Sequence, residues 1–136
     1  MERILIVEDD NDISNLLAKA LTKSGYDCQQ AFSGTEGLLY AKAERFSLAI
    51  LDLMLPGLSG EELLKKLREF TEMPVIILSA KDSLDSKIEL LTAGAEDYMT
   101  KPFELEELIA RVGVQLRRFS GQEAQIKQLS HKSLIL

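Results

Sequence analysis

The chain has 136 residues, 46% of them hydrophobic, enough for one domain of ordinary size with a real core. Its formal net charge of −6 argues against nucleic-acid binding by the chain as a whole, because such surfaces need a basic footprint, and any DNA contact would need another domain. The single Cys28 excludes an intrachain disulfide framework, a zinc cluster and a CxxC redox pair; no apolar run reaches membrane-spanning length, and MERILIV opens without a basic region and cleavage site, so a soluble, cytoplasmic protein without a membrane partner is expected.

Arg3 to Val7 reads as a buried strand ending in three successive acids, Glu8, Asp9 and Asp10. Ile13, Leu16, Leu17, Ala20 and Leu21 then recur at helical spacing, with capping side chains at Asp10 to Asp12 and a stop at Gly25. Tyr26 to Ala31 is a short strand whose Gln29 and Gln30 suggest an edge position. Ser33-Gly34 opens a helix to about Glu44, with Leu38, Leu39 and Ala41 inward despite a weakening Gly37. Ser47 to Leu51 has the mostly apolar character of a central parallel strand, and Asp52 ends it where the chain turns into Pro56-Gly57. Ser59 and Glu62 have capping-box spacing ahead of an apolar stripe of Leu63, Leu64, Leu67 and Phe70.

Val75 to Leu78 is the most β-branched run and leads into Ser79-Ala80. A helix over Ser83 to Ala93 stops at Gly94, and Asp97 to Thr100 forms a brief strand before Lys101-Pro102. The next helix spans about Glu104 to Arg118, with Leu105, Leu108, Ile109, Val112 and Leu116 inward. Strand and helix therefore alternate through five units, the pattern of a doubly wound α/β sheet. Residues 120–136 differ: Ser120-Gly121 starts a linker, His131 is read as a solvated linker residue, and Leu134-Ile135-Leu136 resembles the first strand of a further domain.

In an open parallel sheet, ligands bind beyond the carboxyl ends of the strands. There the alternation gathers Glu8, Asp9 and Asp52, the hydroxyl of Ser79 and the ammonium of Lys101. Carboxylates crowded in one crevice repel each other, and the hard cation that relieves this with oxygen ligands and retained water is Mg²⁺. With the site neutralised, a carboxylate oxygen of Asp52 can attack a phosphoryl group, a reaction that depends mainly on positioning and charge stabilisation.

The sequence resembles the receiver domains of two-component response regulators. The resemblance covers Met1 to about Arg118 and rests on V-E-D-D at residues 7–10, L-D-L-M-L-P-G at 51–57, S-A at 79–80 and Y-x-T-K-P-F at 98–103, each at a strand end. It implies a flavodoxin-like, CheY-like fold with five parallel strands in the order 2-1-3-4-5 and five helices, a receiver domain over 1–119, and a linker over 120–136 leading toward a C-terminal DNA-binding domain. It also implies that Asp52 accepts the phosphoryl group from a sensor histidine kinase. Asp9 would bind Mg²⁺ directly, Glu8 through water, and the Met54 backbone carbonyl and Asp52 would be further ligands. Lys101 would pair with the phosphoryl oxygens, and Ser79 and Tyr98 would form the switch. Ser79 stands where many relatives have Thr, and Glu8 where Asp is commoner; both changes keep the functional group.

A narrower similarity, to OmpR/PhoB-type receivers, rests on A-R-V-x-x-x-L-R-R at residues 110–118. It implies a phosphorylation-dependent homodimer through Lys87, Glu96, Asp97, Glu107, Arg111 and Arg118, whose opposite charges would pair as Lys87 with Glu107, Asp97 with Arg111 and Glu96 with Arg118 between subunits. A stand-alone receiver signalling through protein–protein contacts is the alternative. An enzyme is not expected: a haloacid dehalogenase-type phosphatase needs an acid two residues after its nucleophile, and Met54 occupies that position. A flavin module would need a phosphate-cradling loop after the first strand, where this chain carries acids.

Overall fold

The computed structural model describes residues 1–80 and 84–135, with side chains described up to Ser120. Five strands, β1 (Arg3–Val7), β2 (Asp27–Ala31), β3 (Leu48–Leu51), β4 (Val75–Ser79) and β5 (Asp97–Thr100), form one parallel sheet in the order β2-β1-β3-β4-β5. Helices α1 (Asn11–Lys23), α2 (Gly34–Ala43), α3 (Gly60–Arg68), α4 (Leu84–Thr92) and α5 (Leu105–Ile135) connect and follow the strands. The two glutamines of β2 do mark a sheet edge, where Gln30 donates to Ser14 and Asn15 of α1.

Residues alternate between the two faces of a strand, and both faces here are covered. Leu5, Val7, Ala49, Leu51, Val75 and Ile77 pack with Leu63, Leu64 and Leu67 of α3 and Leu90 of α4. Ile4, Ile6, Leu48, Ile50, Ile76 and Leu78 pack with Leu17 and Leu21 of α1 and Leu108, Val112 and Leu116 of α5. Burying each such Val, Leu or Ile side chain stabilises the fold by about 1.5–3 kcal/mol before entropy is counted. The register, with Val7 beside Leu51, Leu51 beside Ile77 and Ser79 beside Thr100, brings the carboxyl ends of β1, β3, β4 and β5 together.

Local signals set the helix ends. The Asp10 carboxylate accepts from the amides of Asp12 and Ile13, Ser33 accepts from the Glu36 amide, and the Ser59 hydroxyl accepts from the Glu62 amide and donates to the Glu62 carboxylate, a variant of the expected capping box. Gly25 and Gly94 follow α1 and α4 with φ of 98° and 115°, the left-handed region that glycine enters without a Cβ clash.

Several sequence expectations are corrected. Leu39, expected inward, is 65% exposed, and the buried face of α2 is made instead by Gly34 and Gly37. A Cβ on Gly37 would stand 2.8 Å from Val7 Cγ2, so this glycine permits close approach of α2 to β1 rather than merely weakening the helix. Leu16 also faces outward, since the helical stripe is narrower than its hydrophobicity suggests, and Phe70, expected on the stripe of α3, lies in the turn after that helix ends at Arg68 and is exposed. The largest difference is α5, which continues as helix through Ile135 where a linker and a strand were expected. Residues 122–132 are rich in Gln, Glu, Ala, Lys and Leu, and a lone Gly121 costs a helix only about 1 kcal/mol. Ser83, Leu136 and the side chain of His131 lie outside the described residues. Among those described, no helix is long and apolar enough to cross a membrane.

Candidate functional site

Each site residue sits just past a strand whose hydrophobic residues anchor it. Glu8 follows β1 and is 3% exposed; Asp52 follows β3 and is 7% exposed; Ser79 ends β4 and is fully buried. Lys101 follows β5, and its amide donates to the Ser79 carbonyl oxygen at 2.8 Å, fixing the two strand ends against each other.

The side chain of Lys101 then bridges the acids, with Nζ donating to Glu8 Oε1 at 2.5 Å and to Asp52 Oδ2 at 2.9 Å. The remaining oxygens are also held: the Asp10 amide donates to Glu8 Oε2 at 3.2 Å, and the Met54 amide to Asp52 Oδ1 at 3.1 Å. Asp9 is exposed, yet Glu8, Asp9 and Asp52 can each bring an oxygen within 4.8 Å of the others. Burial pushes the Glu8 carboxyl up to about 7 against the opposing pull of Lys101. For Lys101 burial disfavours the charge, but hydrogen bonds to Glu8 and Asp52 outweigh it and raise its pKa.

One ammonium shared by two buried acids leaves the site with surplus negative charge, and the donor set consists of hard oxygens. Glu8, Asp9 and Asp52 therefore fit a divalent cation of the Mg²⁺ kind, which when bound would neutralise the carboxylates and the oxygens of an incoming phosphoryl group. The observed role of Met54 here is its amide, which orients Asp52.

Sequence reasoning missed one support of this site and one tie at the opposite end of the sheet. A Cβ on Gly60 would overlap the Asp52 carbonyl oxygen, and one on Gly34 the Leu58 carbonyl oxygen, so the loop after Asp52 folds down only because both positions lack a side chain. Their place at the start of α3 and α2, right after the capping serines, was the available signal. The second miss is Arg68, at the amino-terminal ends of β4 and β5, which donates to the carbonyls of Gly94 and Met73 at 2.7 and 2.8 Å and to Glu96 Oε2 at 2.9 Å.

The charged set on α4, β5 and α5 is partly paired inside the chain. Arg111 joins Asp97 at 2.7 Å and Glu107 at 2.8 Å. Glu96 is held by Arg68 and accepts from the Val75 amide at 2.6 Å, and the Lys87 ammonium lies 5.7 Å from the centroid of the Tyr98 ring. Asp97 and Arg111, read as partners between subunits, thus already meet within one.

Comparison with known proteins agrees with this fold. The family model described as response regulator receiver domain matches residues 4–113. Two transcriptional regulatory proteins of Bacillus subtilis, both named as uncharacterized, are similar: YkoG, 49% identical over 116 residues, covering 85% of this chain and 51% of the relative, and YrkP, 47% identical over 126 residues, covering 93% and 54%. The chain thus spans about half the length of these relatives. Among solved structures, the receiver domain of Francisella response regulator 1452 superposes with a TM-score of 0.85 at 39% identity, covering 88% of this chain and 99% of that one. A CheY-like receiver domain protein from Methanospirillum hungatei gives 0.86 at 32% identity, covering 90% and 98%.

Proposed function

This chain belongs to the response regulator receiver domain family, and on that premise we propose that Asp52 accepts a phosphoryl group from the phosphohistidine of a sensor histidine kinase. The observation that carries this reading is a buried Asp52 carboxylate held 2.9 Å from the Lys101 ammonium beside two further acids. An Asp52 oxygen attacks phosphorus, the P–N bond breaks, and the imidazole leaves with that electron pair. Lys101 exchanges its contact with Asp52 for the phosphoryl oxygens; Asp9, Asp52 and the Met54 carbonyl would hold Mg²⁺ directly and Glu8 through water, and the ion would supply charge neutralisation. The chain is a phosphoacceptor that takes part only in its own phosphotransfer and dephosphorylation.

Output follows from the buried hydroxyl of Ser79, which reaches a phosphoryl oxygen only when its loop moves inward, with Tyr98 turning toward the vacated space. The α4–β5–α5 face then presents Lys87, Glu96, Asp97, Glu107, Arg111 and Arg118 to a second copy. Exposed ion pairs contribute only about 0–1 kcal/mol each, so these charges set orientation while exposed Leu84, Ile88 and Leu91 supply apolar contact. Residues 1–119 are the receiver unit of a cytoplasmic transcription factor, and residues 120–136 lead toward its DNA-binding part; the transcriptional relatives support this over a stand-alone receiver. Incubation with acetyl phosphate and Mg²⁺ tests the reading: the wild type should gain one phosphoryl group and Asp52→Asn none, whereas equal modification of both would refute it.

A further inference from the structure

Tyr98 and Lys87 lie on neighbouring elements, and their contact is the least explained feature of the α4–β5 face. Along β5, Tyr98 pairs with Ile77 and Thr100 with Ser79. Side chains two apart share a face of the sheet, so the Tyr98 ring and the Ser79 hydroxyl lie on the same side, one step from each other. The ring is only partly buried and borders a cleft of about 280 Å³ that it shares with Phe103, Glu107 and Arg111. The ring packs against the core on one side and borders this open space on the other, so it is not enclosed all round. What stands over it is the Lys87 ammonium, 5.7 Å from the centroid, within the range of a cation–π contact.

The element carrying Lys87 is itself lightly held. Leu90 is the buried residue of α4 among those described, while Leu84, Ile88 and Leu91 face solvent. The Lys87–Tyr98 contact is therefore one of those that relate α4 to β5, beside the packing of Leu90 in the core.

We infer that Lys87 is a positioning residue that holds the Tyr98 ring outward, so that inward rotation toward Ser79 requires this contact to break. This rests on the reading of Ser79 and Tyr98 as the switch. An exposed cation–π contact biases the equilibrium by about two- to fivefold toward the outward ring, and an anion that binds the inward state loses that factor in affinity. The sign is diagnostic. If Lys87 acted only as a nearby positive charge, its removal would weaken binding of an anion at Asp52; as a tether, its removal strengthens it.

The test uses beryllofluoride with saturating Mg²⁺, titrated calorimetrically into the full chain at concentrations where light scattering reports a monomer. Lys87→Met, which keeps the aliphatic stem, should bind about two- to fivefold more tightly than wild type, and Lys87→Arg should stay near wild type because guanidinium also attracts a ring face. In a Tyr98→Leu background, Lys87→Met should have no effect. Unchanged or weaker binding in Lys87→Met, or equal tightening without the tyrosine, overturns the inference. Asp52→Asn separates the two claims: beryllofluoride binding that survives in it defeats the site assignment itself, whereas loss there with no Lys87 effect defeats only the tether.

Discussion

Raising pH from about 6 to about 8 should strengthen Mg²⁺ binding about tenfold, because Glu8 must lose a proton to face a cation. Burial holds its carboxyl at about 7, above the ordinary 4.5. At a pKa of about 7 the carboxylate fraction is roughly one in eleven at about pH 6 and roughly ten in eleven at about pH 8, and the apparent affinity follows that fraction. The same shift has a stability consequence of fixed sign. The folded, metal-free chain binds this proton more tightly than the unfolded chain, so the stability from this group is fully present below about 4.5 and lost as pH rises through about 7. Calorimetric titration in two buffers of different ionisation enthalpy reads both affinity and protons released. Wild type should release close to one proton at about pH 6 and almost none at about pH 8, and Glu8→Gln should flatten the profile. A flat wild-type profile, or one equally steep in Glu8→Gln, would refute the assignment of this proton to Glu8.

Asp9→Ala should weaken Mg²⁺ binding, whereas Lys101→Ala should leave it largely intact and impair the response to phosphorylation; equal affinity losses in a metal titration would contradict these roles. Gly37→Ala should lower thermal stability: helix propensity favours alanine by about 1 kcal/mol, but crowding the fully buried Val7 costs about 1–3 kcal/mol. Circular dichroism melting checks it, and a raised midpoint would show that α2 can shift without penalty. Light scattering with beryllofluoride and Mg²⁺ should show a modest wild-type dimer that Arg111→Glu loses, because that change breaks contacts to Asp97 and Glu107 and places acid on acid. A variant that dimerises as well as wild type would remove Arg111 from the interface.

Much of this was legible in the sequence because strand ends are set by hydrophobic runs, and those runs place Glu8, Asp52, Ser79 and Lys101 with little ambiguity. The edge position of β2 was readable from Gln29 and Gln30 for the same reason. Contacts that depend on what lies across space were not. Gly37 looked like a defect because its neighbour Val7 is thirty residues away. Arg68 looked like an ordinary helix-end cation, yet it reaches the carbonyls of Met73 and of the distant Gly94 and pairs with the exposed Glu96. The end of α5 was misread because Ser120-Gly121 signals a break locally, while the helix-favouring residues on either side outweigh it.

The central claim is that Asp52 is the phosphoacceptor, and intact-mass and peptide mass spectrometry after treatment with acetyl phosphate tests it most directly. One phosphoryl group should appear, on the peptide containing Asp52, only with Mg²⁺ present and lost when EDTA is added beforehand. Modification on another residue, or undiminished modification of Asp52→Asn, would contradict the account.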